Sequence, residues 1–503
     1  MAEQNREFEA KSSSFLTWFS SLPGTAFHSS LRVTDLRQRH AGRGIIATTD
    51  IPAETELFTI PRSAIISVAT SDLAQKLPEL FDQPASHTSN ASGRSDEGES
   101  DDNALDIPSP WLNLIFVLLY EYLHYDTSKW KPYLEILPTR PSEFNTLMFW
   151  DSSELQELQA SHITSRIGRS TADIIFRRRV IPIIREHANI FYPTTTSTRL
   201  SDEELLNLAH SMGSLIMSYA FELQPDDDEE NEDDEDNDDA QDGWKEDKAK
   251  EGTMGMIPMA DILNADAEFN AHLSHGDSAL TMTSLGIKAG NEVLNYYGPL
   301  SNGELIRRYG YSSQNHARYD IVELPWLLVK SCILRTLSKQ AGPTETQLRG
   351  LIQKVEDEND LTNESFVLER EADGPDDTGH CTSPAVFRNP PEELVDIIVI
   401  EIICKASSKK IGPSEQKKRF LPVFLEILRA RLAQYATSIA EDEKLIPQAT
   451  GRLKMAIDVR YGEKKLIQEA IDWTEGKLRA LTVETITNDA REGPPQKKQK
   501  KAK

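Results

Sequence analysis

The sequence predicts an α+β chain in which short β-strands are split by a helical insertion and followed by an all-helical C-terminal domain. Three observations predict it. Residues 40–67, HAGRGIIATTDIPAETELFTIPRSAIIS, alternate apolar and polar positions between turn signals, and Ala279–Ile287 and Val293–Tyr297 read as two more strands parted by the Gly290-Asn291 turn. Between these strand regions, Trp111–Tyr125 is strongly apolar after Pro110 and reads as a buried helix. After Tyr319, the stretches IVELPWLLVKSCILRTL, EELVDIIVIEIICKA and KRFLPVFLEILRARLAQYA are apolar at helical spacing.

Composition narrows the class. A chain of 503 residues has room for about three domains. Its three cysteines, Cys332, Cys381 and Cys404, are far apart and form no CxxC pair, so neither a disulfide framework nor a metal cluster is indicated and the expected compartment is reducing. The N-terminus lacks an apolar signal core, and Trp111–Leu119 falls far short of the ~20 residues that span a bilayer. A soluble intracellular monomer without a membrane partner is expected. The formal charge of −26 is unevenly spread: Asp226–Asp239 holds twelve carboxylates and no base, leaving −14 for the remainder. Such a field repels nucleic acid and attracts a Lys/Arg-rich protein.

In chain order, residues 1–27 hold an amphipathic helix around Phe15–Phe19 that stops at Pro23-Gly24. The β-rich unit spans 28–298. Within it, 83–107 is rich in Ser and Asp and is expected to be a disordered insertion, 110–215 is the helical insertion, and 226–250 is an acidic loop. In the insertion, Trp130 and the tyrosine of WKPYLEILP read as core volume, and Ser152 or Ser153 as the cap of the helix at Glu154. Arg177–Arg179 read as a solvated basic face.

The stretch Met256–Tyr311 organises the rest. Asp261 and Asn264 stand three apart, so one helical turn would put both on one side; a hairpin follows, then a short helix with a Ser301/Glu304 capping box ending at Gly310. Residues 299–319 flank the β-rich unit, 320–485 form the helical domain with a polar loop at 369–379, and 486–503 form a basic tail. The lysines of PPQKKQKKAK suit nuclear import or a bland solvated end, and the nucleus is the expected location.

The series DILN, GNEVLNYYG and ELIRRYGY, in that order, resembles the second half of a SET domain, the lysine-methyltransferase fold. It is similar to the Rubisco large-subunit methyltransferase class, whose SET domain is split and followed by a helical substrate-binding domain, which RLKMAIDVRYGEKKL resembles in turn. DILNAD in place of DILNH resembles the fungal ribosomal-protein lysine methyltransferases. The resemblance implies S-adenosylmethionine as methyl donor and a lysine on a basic large-subunit ribosomal protein as acceptor. A histone or transcription-factor lysine, a histidine on a folded protein, and a SET-like binding module without activity stay open, and nucleic-acid binding through the lysine tail conflicts with the overall charge.

Methyl transfer to an amine needs in-line placement, excluded water and a neutral nucleophile, since a free lysine amine titrates near ~10.4. By resemblance, Tyr297 is the catalytic residue, orienting the amine through its hydroxyl with weak general-base character. Resemblance also assigns cofactor contacts to the Gly42-Arg43-Gly44 turn, to Ser218 and Tyr219 in IMSYAFEL, to Asp261, Asn264 and Ala265, to Tyr297 and to Tyr309. Tyr219 stands where many relatives carry Arg, and Ala265 where the wider family has His. Tyr296 should face the opposite side of its strand and serve structure, and His272 and His275 read as polar surface residues rather than ligands.

Overall fold

The N-terminal strand pattern folds into two ladders. The structure, a computed structural model, describes residues 2–39, 41–81, 109–194, 199–223, 253–276, 278–339, 344–407 and 410–491. The insertion expected at 83–107, the acidic loop at 226–250 and the lysine cluster of the tail lie outside the described residues. Strands β1 (Ala26–Phe27), β2 (Leu31–Asp35), β3 (Arg43–Ala47) and β4 (Glu56–Pro61) precede the insertion; β5 (Ala220–Leu223), β6 (Thr253–Met256), β7 (Asn264–Ala265), β8 (Ala271–His275), β9 (Ala279–Ser284) and β10 (Leu294–Asn295) follow it. One antiparallel sheet has the order β1-β4-β9-β8, and β2-β3, β5-β6 and β7-β10 form two-stranded pairs. Phe58, Ile60, Leu280 and Met282 alternate with polar neighbours and are fully buried, each contributing about 1.5–3 kcal/mol by leaving water.

The expected hairpin between 279–287 and 293–297 does not form. Both edges of β9 are already taken, by β4 and β8, so the chain that follows finds other partners. Ile51 exchanges hydrogen bonds with Ile287, the Val293 amide donates to the Ile45 carbonyl at 2.8 Å, and β10 runs parallel to β7 with Leu294 opposite Asn264.

The opening helix, Ala2–Ser21, buries Phe15 and Phe19 completely. In the insertion, helix Ser109–Leu123 buries Leu114 to Leu119 against helix Asp202–Tyr219, and helix Lys131–Leu134 carries Tyr133 into the same core. The cap before Glu154 is Asp151, not a serine: its carboxylate accepts from the amides of Ser153 (2.8 Å) and Glu154 (2.9 Å), because Ser152 is already helical while Asp151 is extended.

Among the described residues, the C-terminal region departs from an all-helical reading in a strand pair and in an isolated antiparallel bridge between Glu371 and Val386. Strands β11 (Val322–Pro325) and β12 (Ser365–Leu368) pair antiparallel, since Val322, Leu324, Phe366 and Leu368 alternate into its core. Pro325 then ends the strand where helix Trp326–Leu337 begins. Helices Pro413–Leu432 and Gly451–Arg491 pack along each other, and the second is 41 residues long. A third, smaller core joins the pieces: Leu147, Trp150, Leu158 and Ile163 of the insertion meet Ile306 and the C-terminal helix residues Met455, Ala456 and Val459. Charged side chains reinforce this seam, with Arg452 donating to the Phe149 (3.1 Å) and Phe144 (2.7 Å) carbonyls and Arg460 to the Glu157 carboxylate (2.8 Å).

Candidate active site

The Gly42-Arg43-Gly44 turn is built by what its glycines permit. Gly42 adopts φ +66° with open space where a side chain would project. At Gly44 a Cβ would come within 2.4 Å of Leu36 and 2.7 Å of the Glu292 carboxylate, so only glycine lets the backbone approach that closely. The Arg43 side chain turns away to hold the turn in place. Its guanidinium donates to Ser12 Oγ (2.9 Å) and the Ile136 carbonyl (3.0 Å) and lies 4.0 Å from the Phe8 ring centroid. Burial, reinforced by nearby Arg37, lowers its pKa to about 10.

Asp261 and Asn264 part company. The helical turn covers only Ala260–Ile262, Leu263 is extended, and Asn264 already belongs to β7, so the two side chains do not share a side as one turn would require. Asn264 Nδ2 donates to the Arg43 carbonyl (3.1 Å) and to Glu292 Oε1 (2.6 Å), tying the glycine turn to the strand that leads to Tyr297. Asp261 is buried, and Tyr133 of the insertion donates its hydroxyl to Oδ2, while Oδ1 has no hydrogen-bond partner among the described residues. Burial raises the Asp261 pKa to about 7 against the opposing effect of the Tyr133 hydrogen bond. Just upstream, Met259 carries φ +87°, a strained value for a side chain of its size.

Three tyrosines form one aromatic wall. Tyr297 lies past the short β10 rather than at the end of a five-residue strand, and Gly298 at φ +94° turns the chain after it. Its ring stacks on Tyr309, with centroids 4.5 Å apart and planes at 18°, and its hydroxyl donates to the Leu263 carbonyl at 3.1 Å. Tyr309 closes helix Asn302–Arg308, and Gly310 follows at φ +76°, where a Cβ would lie 2.8 Å from the Asn145 backbone. Tyr311 tilts against Tyr309 at 6.3 Å and donates to the Ala265 carbonyl at 3.0 Å. All three rings stay half-buried, so the wall keeps an accessible face.

Loss of water around these hydroxyls pushes the Tyr297, Tyr309 and Tyr311 pKa values up, with Tyr311, Tyr309, Tyr219 and Asp261 adding to the effect at Tyr297. Tyr297 is therefore held as a neutral phenol, a form suited to hydrogen bonding. Tyr219 sits in the field of both Asp261 and Arg43; desolvation dominates and takes it to about 12.

The structure brings most of the sequence-selected residues together, with different partners from those expected in several cases. Ser218 Oγ donates to the Arg308 carbonyl at 2.7 Å, fixing the helix that ends in Tyr309. Ser301 caps that helix through the Glu304 amide (3.2 Å), but the Glu304 carboxylate turns to Arg307 and Arg308 instead of closing the capping box, because two buried or half-buried guanidinium groups are stronger partners than a backbone amide. Ala265 is buried and offers its carbonyl to Tyr311. Tyr296, which like Tyr297 lies past β10, stacks on Phe269 at 5.1 Å, whereas Tyr297 stacks on Tyr309. His272 and His275 are exposed on β8, and among the described residues no group of three His, Cys, Asp or Glu side chains is arranged for a metal ion. Sequence reasoning passed over Tyr133, taken for core volume, and Glu292, whose only signal is its place one residue before the Val293 strand.

Residues 390–467 match the family model described as Rubisco LSMT substrate-binding. Ribosomal lysine N-methyltransferase 4 of Saccharomyces cerevisiae is 32% identical over 321 residues, 63% of this chain and 58% of that protein, so the chain spans little more than half of that relative's length. N-lysine methyltransferase setd6 of Salmo salar is 25% identical over 461 residues, covering 86% of this chain and 90% of its own. Among solved structures, the SET domain of LSMT bound to lysine and AdoHcy superposes with a TM-score of 0.56 at 19% identity, covering 94% of this chain and 92% of that one. Rubisco LSMT bound to AdoMet gives 0.55 at 18% identity, with 97% of each chain covered. The fold is LSMT-like: a SET-type β-rich unit split by a helical insertion, followed by a helical region in which residues 390–467 match the LSMT substrate-binding model.

Proposed function

We propose that the chain is a protein-lysine N-methyltransferase that uses S-adenosylmethionine, and that its acceptor is a lysine of a basic large-subunit ribosomal protein. The observation that carries the reading is the Tyr297–Tyr309–Tyr311 wall, in which the Tyr297 and Tyr311 hydroxyls are ordered by the carbonyls of the very segment, Leu263 to Ala265, that Asn264 ties to the glycine turn. The relatives named above as lysine methyltransferases, and the LSMT structures bound to AdoMet or AdoHcy, support the same reading.

The residues present fit the donor. Gly42 leaves open space at the turn, the Gly44 backbone sits in a cradle that a Cβ would fill, and Asp261 offers a buried, unpartnered oxygen near the aromatic wall. The backbone of Gly42 to Gly44, the Asn264 and Ala265 segment, Ser218, Tyr219 and Tyr309 would hold it; when bound, it supplies a methyl group on a sulfonium. Tyr297 would orient the lysine amine through its hydroxyl, and the rings would exclude water around it. The amine must arrive neutral. Its lone pair would accept the methyl group that the donor supplies, and the resulting ammonium would release a proton to solvent.

The ribosomal acceptor rests on the yeast relative's name and on the chain's acidic balance, which draws in basic proteins. The nuclear location rests on the lysine cluster of residues 486–503 and is tested by imaging a fluorescent fusion with and without that segment. The decisive experiment supplies labelled S-adenosylmethionine and unmethylated ribosomal proteins to the purified chain. Label on a lysine of one basic large-subunit protein supports the proposal; label on histones alone keeps the enzyme and replaces the acceptor. No label, with no cofactor binding by calorimetry, overturns the reading in favour of a protein-binding module.

A further inference from the structure

The helical insertion sends one polar atom into the site. Tyr133 lies on helix Lys131–Leu134, is fully buried, and packs its ring 6.1 Å from that of Phe15 in the opening helix. Its hydroxyl donates to Asp261 Oδ2, across a sequence separation of 128 residues. A buried carboxylate is costly unless its oxygens are satisfied. Here only one is, for Oδ1 is buried and lacks a partner among the described residues.

We infer that Tyr133 is a positioning residue for the proposed methyl transfer: it fixes one oxygen of Asp261 and keeps the carboxylate oriented and charged beside the Tyr297 wall. The inference rests on the methyltransferase reading of that wall. The groups that face Asp261 are Tyr133 from the insertion, Tyr219 from the end of helix Asp202–Tyr219, and Tyr297 from beyond β10; Arg43 acts on the cluster through Tyr219. None of the three phenols competes for the negative charge, since each is held above its ordinary value by burial first and by its neighbours second. Asp261 is thus the one group of the cluster that changes charge near neutrality, at about 7, and the Tyr133 hydrogen bond is the largest contact that opposes burial there, ahead of the backbone amides of Asp261 and Met259. A negative carboxylate suits a site that would hold a sulfonium cation and, after transfer, the product ammonium.

The test is Tyr133→Phe, which keeps the ring and removes the donor. Carbon-13 NMR of labelled aspartate carboxyls, with Asp261→Asn identifying the signal, reads the midpoint in the cofactor-free protein; methyl transfer against pH reads its consequence. Loss of a hydrogen bond to a charged group should raise the Asp261 midpoint by about one pH unit and move the low-pH arm of the transfer profile up with it. Replacement of Tyr133 by 3-fluorotyrosine, a stronger donor, should move both the other way and serves if the phenylalanine variant folds poorly. Midpoint and profile unchanged by both replacements would overturn the inference. Absence of transfer by the wild-type chain would instead remove the methyltransferase reading, and the carboxyl titration would still decide whether Tyr133 controls Asp261.

Discussion

Tyr297 and Tyr309 lie ring on ring, 4.5 Å between centroids, although a glycine turn and a helix separate them in the chain. The stack fixes the Tyr297 ring while its hydroxyl donates to the Leu263 carbonyl. Removing that hydroxyl alone should leave the wall standing. Tyr297→Phe is expected to lower kcat for methyl transfer by about 10²-fold or more, in line with the loss of one preorganised polar contact, with S-adenosylmethionine affinity changed less than threefold. Single-turnover kinetics and calorimetry check the two halves separately.

Tyr309 separates ring from hydroxyl in the opposite sense. Tyr309→Phe keeps the stack and should retain most activity, whereas Tyr309→Leu loses an aromatic pair of about 0.5–1.5 kcal/mol and frees the Tyr297 ring to rotate. A kcat loss of at least tenfold in the leucine variant and under threefold in the phenylalanine variant is the expected pattern.

Gly310 ties Tyr309 to the insertion. At φ +76°, with the Asn145 backbone 2.8 Å from any Cβ, alanine there meets both backbone strain and a collision with main chain that cannot rotate away. Gly310→Ala should destabilise the chain by about 2 kcal/mol or more in urea unfolding. Gly42→Ala, with open space around it, should show the strain term only, about 1 kcal/mol.

Glu463 gives a pH dependence with a definite sign. It is buried between Ser161 and Tyr435, both of which donate to it, and burial raises its pKa from 4.5 to about 7 against those hydrogen bonds. The folded chain therefore keeps a proton that the unfolded chain releases. This stabilises the fold below about pH 4.5, and the contribution is lost as pH rises to about 7, amounting to about 3 kcal/mol at most. Glu463→Gln should flatten that slope: near-equal stability to wild type at pH 5 and greater stability at pH 8, read from urea midpoints at the two values.

Much of the site could be read in the sequence because its parts are local. Gly42 to Gly44, the DILN segment and the tyrosine that precedes Gly298 are each marked by short patterns, and the fold assigns them to one region. What could not be read were the pairings. Nothing local says that β9 has both edges filled, so Gly290-Asn291 suggested a hairpin that the sheet order forbids. The same holds for Asn264, whose partners Arg43 and Glu292 are set by tertiary contact, and for Arg43, whose charge is drawn off by Ser12 and Ile136. In the C-terminal region, Val322–Pro325 merges with the helix after it into one apolar run, hiding a strand whose mate, β12, is 40 residues away.

The small core that seats Ile306 between the insertion and the C-terminal helix sets an order of assembly. Helix Asn302–Arg308, whose end carries Tyr309, gains its last apolar neighbours only when Met455, Ala456 and Val459 arrive, some 150 residues later in synthesis. During translation the strand-bearing half can collapse around its own core before the helix that carries Tyr309 receives these neighbours.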